Sequence, residues 1–184
     1  AFAIQLVNAG MVSDAERVVR AVRQRYDGEK RNPWNEMECG SNYARTMAAF
    51  GLIPAYAGFR CNASAGHMEF SPVRMRKGKF RTFWSMGTAW GVFESDSTGA
   101  RLLVRAGKLI LRSFQVKNLI PGQIAKNGTE IPFELRKGRI QYLSPVTLCA
   151  GESLSVLKCE KSQTKKCKED EYEEKTEGIQ RKAS

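Results

Sequence analysis

Two kinds of hydrophobic spacing divide this chain. In the first third, apolar residues recur three and four positions apart. Beyond about residue 66 they fall in short runs between turn signals. The opening Ala1-Phe2-Ala3-Ile4-Gln5-Leu6-Val7 predicts the last turns of a helix closed by Gly10, so the chain is expected to begin inside a larger domain. Val12, Ala15, Val18, Val19, Val22 and Tyr26 then form one helical face, with Arg17, Arg20, Gln24 and Arg25 opposite. Ser13-Asp14-Ala15-Glu16 has the form of a capping box, and Asp27-Gly28 supplies a stop. A loop from Glu29 to about Asn35 contains Pro33, which disfavours helix at Asn32. A second helix is predicted from about Cys39 to Tyr56, with Tyr43, Met47, Phe50 and Ala57 on one stripe. Pro54 should kink it or end it near Ile53. Two such helices form a hairpin that needs further partners to cover its apolar surface.

From residue 66 the runs are rich in aromatic and β-branched residues. Phe80–Trp84, Trp90–Phe93, Leu102–Val104, Leu109–Val116, Ile131–Leu135, Ile140–Leu143 and Ser153–Leu157 read as strands. Lys77-Gly78, Ser95 to Gly99, Ala106-Gly107-Lys108, Lys126 to Thr129 and Lys137-Gly138 read as the turns between them. The expected fold class is therefore α + β. Helices occupy 1–58, a linker 59–65, and an antiparallel all-β meander or sandwich 66–158. The tail 159–184, rich in Lys, Glu and Ser, is expected to be disordered.

Composition adds exclusions. Hydrophobic residues are 42% and charged residues 27% of the 184, which suits a globular chain with a core. No apolar run is long enough for a transmembrane helix. The net charge of +11 raises nucleic acid as a partner. The charge is spread out, however, and its densest run, Arg74-Met75-Arg76-Lys77-Gly78-Lys79, reads as a hairpin tip, so no nucleic-acid partner is expected. The five cysteines (Cys39, Cys61, Cys149, Cys159 and Cys167) are odd in number and widely spaced, and His67 stands alone. That excludes a zinc motif, implies no cofactor, and predicts mostly buried free thiols in the cytoplasm. No phosphate-binding loop or nucleophile elbow is present. Trp84 and Trp90 are expected in the core of the β region, and His67, placed before a strand, is expected to be structural.

The chemistry concentrates in Arg31-Asn32-Pro33-Trp34-Asn35-Glu36-Met37-Glu38-Cys39-Gly40-Ser41-Asn42-Tyr43-Ala44-Arg45. Glu38, Ser41, Asn42 and Arg45 would share a helical face, with Glu36 just before it. Carboxylate and guanidinium groups bind vicinal sugar hydroxyls through charge-assisted hydrogen bonds, and Trp34 can stack on the C–H face of a ring. A capped helix start with a local Glu–Arg ion pair accounts for the same residues, and composition leaves both readings open.

That segment resembles a signature near the C-terminal end of the catalytic domain in bacterial relatives of the non-lysosomal glucosylceramidases, glycoside hydrolase family 116. The preceding Val-Arg-Ala-Val-Arg-Gln-Arg-Tyr-Asp-Gly-Glu-Lys and the later Gly-Lys-Phe-Arg-Thr-Phe-Trp-Ser-Met-Gly-Thr-Ala-Trp-Gly-Val-Phe-Glu are similar to the same family, so the likeness covers about residues 1–158. It implies the last helices of an α/α toroid of six hairpins, and a retaining β-glucosidase with a nucleophile and an acid/base carboxylate. Both carboxylates are expected upstream of this chain, so the chain alone should supply no catalytic residue. The resemblance assigns Glu36, and Arg45 nine residues on, to hydroxyls of the glucose in the deepest subsite. Trp34 and Glu38 are added on local geometry. Glu36 and Glu38 sit too close together to flank a glycosidic bond from opposite faces. Other branches carry Tyr-Met-Arg-Pro where this chain has Tyr43-Ala44-Arg45-Thr46, so the preferred sugar stays open. The expected partner is a β-glucoside or related glycoside. The competing reading is a non-catalytic carbohydrate-binding or packing β module with Trp84 or Trp90 exposed as a stacking platform.

Overall fold

Helices α1 (Phe2–Asn8) and α2 (Val12–Arg23) open the chain. The computed structural model describes residues 1–32 and 47–159. The turn between α1 and α2 closes early: the Gly10 N–H donates to the Val7 carbonyl and the Met11 N–H to that of Leu6. Helix α2 therefore starts at Val12 with Met11 as its N-cap, and Ser13 falls inside the first turn. The expected capping box does not form. Glu16 instead pairs across the fold with Arg74, and Asp14 with Arg17. Asp27 ends the segment as expected, accepting the backbone N–H groups of Glu29 and Lys30.

The second predicted helix differs over its described part. It consists of α3 (Met47–Phe50) and α4 (Leu52–Ala57), separated at Gly51. Pro54 does not end the helix near Ile53, because it lies in the first turn of α4, where its missing N–H costs no helical bond. Helix α4 ends at Gly58 in the left-handed region (φ 54°), where an added Cβ would meet the Ser71 carbonyl oxygen at 2.2 Å. Backbone bonds from Ser71 to Ala57 and from Val73 to Tyr56 tie this helix end to the β region.

The β region forms two sheets that share one long strand. The strands in order are β1 (Arg60–Asn62), β2 (His67–Phe70), β3 (Phe80–Ser85), β4 (Ala89–Ser95), β5 (Gly99–Val116), β6 (Pro121–Lys126), β7 (Thr129–Glu130), β8 (Phe133–Arg136), β9 (Arg139–Cys149) and β10 (Ser153–Lys158). The first half of β5 pairs with β4 and β10, giving a first sheet in the order β3-β4-β5-β10-β6-β7. Its second half pairs with β2 and β9, giving a second sheet in the order β1-β2-β5-β9-β8. The sheets meet face to face. Phe70 of the second stacks on Phe93 of the first with ring centroids 3.9 Å apart, and Phe114 meets Phe70 edge-on. Trp84, Leu102, Leu111, Ile124, Leu148 and Leu154 are fully buried around them. The all-β expectation therefore holds as a two-layer sandwich.

Three details correct the expectation. The sheets are not purely antiparallel: β2 runs parallel to β5, because the β3–β4 hairpin intervenes in the opposite sheet and β5 re-enters in the direction of β2. Ala106-Gly107-Lys108 is not a turn but the middle of β5, where the strand passes between sheets. Strands β1, β2, β6 and β7 escaped the strand pattern, and β1 lies inside the stretch read as a linker. The other turns stand where expected. Lys77-Gly78, Asn127-Gly128 and Lys137-Gly138 each have φ positive at both residues, as tight hairpin turns require.

Candidate functional site

Trp34, Glu36, Glu38 and Arg45, together with Ser41 and Asn42, lie outside the described residues. The described chain stops at Asn32, beyond α2, and resumes at Met47, where α3 begins. Three polar features can be built from the described residues.

The first is a cleft of about 670 Å³ between the helices and the second sheet. Val7, Pro54 and Ala55 line one wall. Arg60, Glu69 and Gln115 stand in register across β1, β2 and β5 on the other. The second feature adjoins it. His67 Nδ1 lies 2.9 Å from the Ser113 hydroxyl on the neighbouring parallel strand, and its Nε2 lies 4.0 Å from a Glu69 oxygen, beyond hydrogen-bond range. Burial, and next the positive charge of Arg139, lower the imidazole pKa below its ordinary value. This is a Ser–His–Glu set without the geometry for acyl transfer. Ser113 is buried, so a substrate cannot reach it, and the acid does not hydrogen-bond the ring. The histidine clamps β2 to β5, as its structural reading predicted.

The third feature is the outer face of the first sheet. The two tryptophans part company there. Trp84 is 1% exposed in the core, whereas Trp90 is 45% exposed, which corrects its assignment to the core. Phe83, 50% exposed, lies beside Trp90 with ring centroids 6.0 Å apart and planes tilted by 43°. Pairing places Phe83, Val92 and Leu103 in one row across β3, β4 and β5. The next row holds Arg81, Glu94, Arg101 and Ser155 across β3, β4, β5 and β10. Arg81 Nε pairs with Glu94 at 3.1 Å. Arg101 makes only a long 3.4 Å contact with the Ser153 hydroxyl, and Arg105, the extra residue of the bulge opposite Trp90, has no partner among the described residues. A hollow of about 440 Å³ opens over Arg81, Glu94 and Arg101. Two-residue alternation carried this information. Phe80 and Trp84 share the inner face of β3, so Arg81 and Phe83 must share the outer one, and likewise Trp90 lies opposite Phe93 on β4.

Among the described residues no group of His, Cys, Asp and Glu could hold a metal ion. Cys61 and Cys149 are exposed and Cys159 is buried, so the described thiols are not mostly buried as expected. No described helix is long and apolar enough to cross a membrane.

No protein-family model matches the chain, and no curated protein matches it. Solved structures similar to it include a GH127 β-arabinofuranosidase, at 12% identity and a TM-score of 0.40 over 66% of this chain and 21% of that one. A GH127 β-L-arabinofuranosidase from Geobacillus stearothermophilus T6 is similar at 15% identity and a TM-score of 0.37, over 76% of this chain and 22% of that one. The chain thus spans about a fifth of either enzyme's length. At such TM-scores these likenesses carry no weight for what this chain does.

Proposed function

We propose that this chain is the C-terminal part of a retaining glycoside hydrolase similar to family 116, acting on a β-glucoside or related glycoside in the cytoplasm. In this reading Glu36 and Arg45 grip neighbouring hydroxyls of the sugar in the deepest subsite, with Trp34 and Glu38 beside them. The catalytic carboxylate pair belongs to polypeptide outside this chain. The observation that carries the reading is the agreement of residues 31–45 with the family signature, including the Glu36-to-Arg45 spacing. Supporting it, that segment falls in sequence between α2 and α3, and the described helices leave apolar side chains uncovered. Phe2, Met11, Val22, Phe50 and Ile53 are exposed, as the last helices of a larger helical array would leave them.

The division at residue 58 belongs to the same proposal: the helices complete a catalytic domain and the sandwich is an appended module. In the longer enzyme, Arg45→Ala should lower kcat/KM by roughly tenfold to a few hundredfold, the value of one or two charge-assisted hydrogen bonds. Unchanged kcat/KM would remove Arg45 from the subsite. The 184-residue chain alone should not turn over an aryl β-glucoside. Turnover that persists through rigorous purification would place a complete catalytic centre within it.

A further inference from the structure

We propose that the outer face of the first sheet binds a carboxylate-bearing glycan chain, whether or not the segment around Glu36 touches a sugar. A pyranose ring has an apolar C–H face and an equatorial belt of hydroxyls, and a uronate adds one carboxylate per ring. Recognising it takes an aromatic plane, hydrogen-bonding groups at the level of the belt, and a cation. The face has all three in three successive rows: Trp90 in the first, Phe83 in the second, and Arg81, Glu94 and Arg101 in the third. Phe83 and Trp90 present a tilted aromatic pair, each about half exposed, on a sheet surface where nothing described covers them. Exposed aromatics grouped in this way, rather than scattered singly, mark a binding surface.

In the row next to Phe83, Glu94 is fixed by Arg81, so its outer carboxylate edge can accept from hydroxyls while its charge is neutralised. Arg101 and Arg105 are left as cations without a carboxylate partner among the described residues. The charge balance of the face is therefore positive, which selects an acidic chain over a neutral one. A guanidinium binds a carboxylate through two parallel N–H donors, giving orientation as well as attraction. The polar row runs perpendicular to the strands, from β3 through β4 and β5 to β10. Strands lie about 4.8 Å apart, close to the length of one sugar unit in a linear chain. A glycan laid across the strands thus meets a new strand with each residue.

The test is fluorescence titration of the 184-residue chain with a galacturonate tetramer, a neutral cellotetraose and a single-stranded oligothymidylate. The acidic tetramer should change the emission of Trp90 saturably, and the neutral tetramer should bind at least tenfold more weakly. By calorimetry, Trp90→Ala and Arg101→Ala should each weaken the acidic tetramer at least tenfold, and Trp90→Tyr should restore most of what Trp90→Ala loses. Both side chains are exposed, so thermal melts should show the variants folded. Absence of saturable binding overturns the proposal, as does binding that Trp90→Ala leaves unchanged. Tighter, Trp90-dependent binding of oligothymidylate also overturns it, because a stacking, cationic face would then be reading nucleic acid.

Discussion

His67 shows how one side chain couples the sheet to proton concentration. Its Nδ1 meets the Ser113 hydroxyl, its surroundings are largely protein, and Arg139 adds positive charge nearby, outweighing the opposite pull of Glu69. Burial first and the Arg139 charge second disfavour the imidazolium in the folded state more than Glu69 and Ser113 favour it, so the native pKa lies below the ordinary value of 6.5. Between that lowered value and about 6.5 the unfolded chain binds more protons than the native one, and stability falls as pH falls through the interval. Above 6.5 both states are neutral and the contribution is constant. Urea midpoints measured from pH 7.5 to 5 should therefore decline on the acid side, and His67→Gln should flatten that decline. A slope unchanged by the substitution would mean that other groups cause it. In the sequence, His67 was visible only as a lone histidine, and it falls inside β2 rather than before a strand. Its partner lies 46 residues away, in a strand pairing that no local pattern encodes.

Strand β5 is the element on which the sandwich turns, and Gly107 is where it bends. At φ +84° this residue sits in the left-handed region, and a Cβ there would lie 2.1 Å from the Thr88 carbonyl oxygen. Gly78, at φ +72°, has open space around it. Comparing the two separates backbone strain from collision. Gly78→Ala should cost about 1 kcal/mol, the strain of a positive φ alone. Gly107→Ala should cost about 2–4 kcal/mol, because the β4 edge must also move. Chemical denaturation measures both, and equal losses would mean that β4 yields without resistance. The same residue explains a misreading. Ala106-Gly107-Lys108 looks like a hairpin turn, because a glycine with positive φ gives one local signal whether the chain reverses or bends onward. Only the simultaneous pairing of β5 with four neighbours distinguishes the cases. The strand expected over Ile140–Leu143 continues as β9 to Cys149, with Pro145 in a register shift opposite Arg112. The X-Gly hairpin turns, by contrast, were legible because their chemistry is local.

At the scale of the molecule, the buried residues fall into two clusters of unequal size. The larger contains Phe70, Trp84, Phe93, Phe114 and the aliphatic side chains of both sheets, and from the helices it takes only Ala57. The smaller holds Ala3, Val7, Ala15 and Ala55, with Ile4, Val18 and Leu52 partly buried beside them. Alanine and valine bury little area, so the helical cluster contributes little hydrophobic free energy. Isolated helices as short as α1 and α2 are marginal in water. The helices therefore depend on the sandwich through α4, and the sandwich does not depend on α1 and α2. Residues 51–159, which keep α4 and its bonds to Ser71 and Val73, should fold as a cooperative unit with Trp84 still buried. Residues 1–32 alone should show little helix by circular dichroism. Should 51–159 fail to unfold cooperatively, the two clusters form one folding unit, and the proposed boundary at residue 58 divides nothing. Should it fold while the longer enzyme loses activity without it, the sandwich acts by holding the last helices in place.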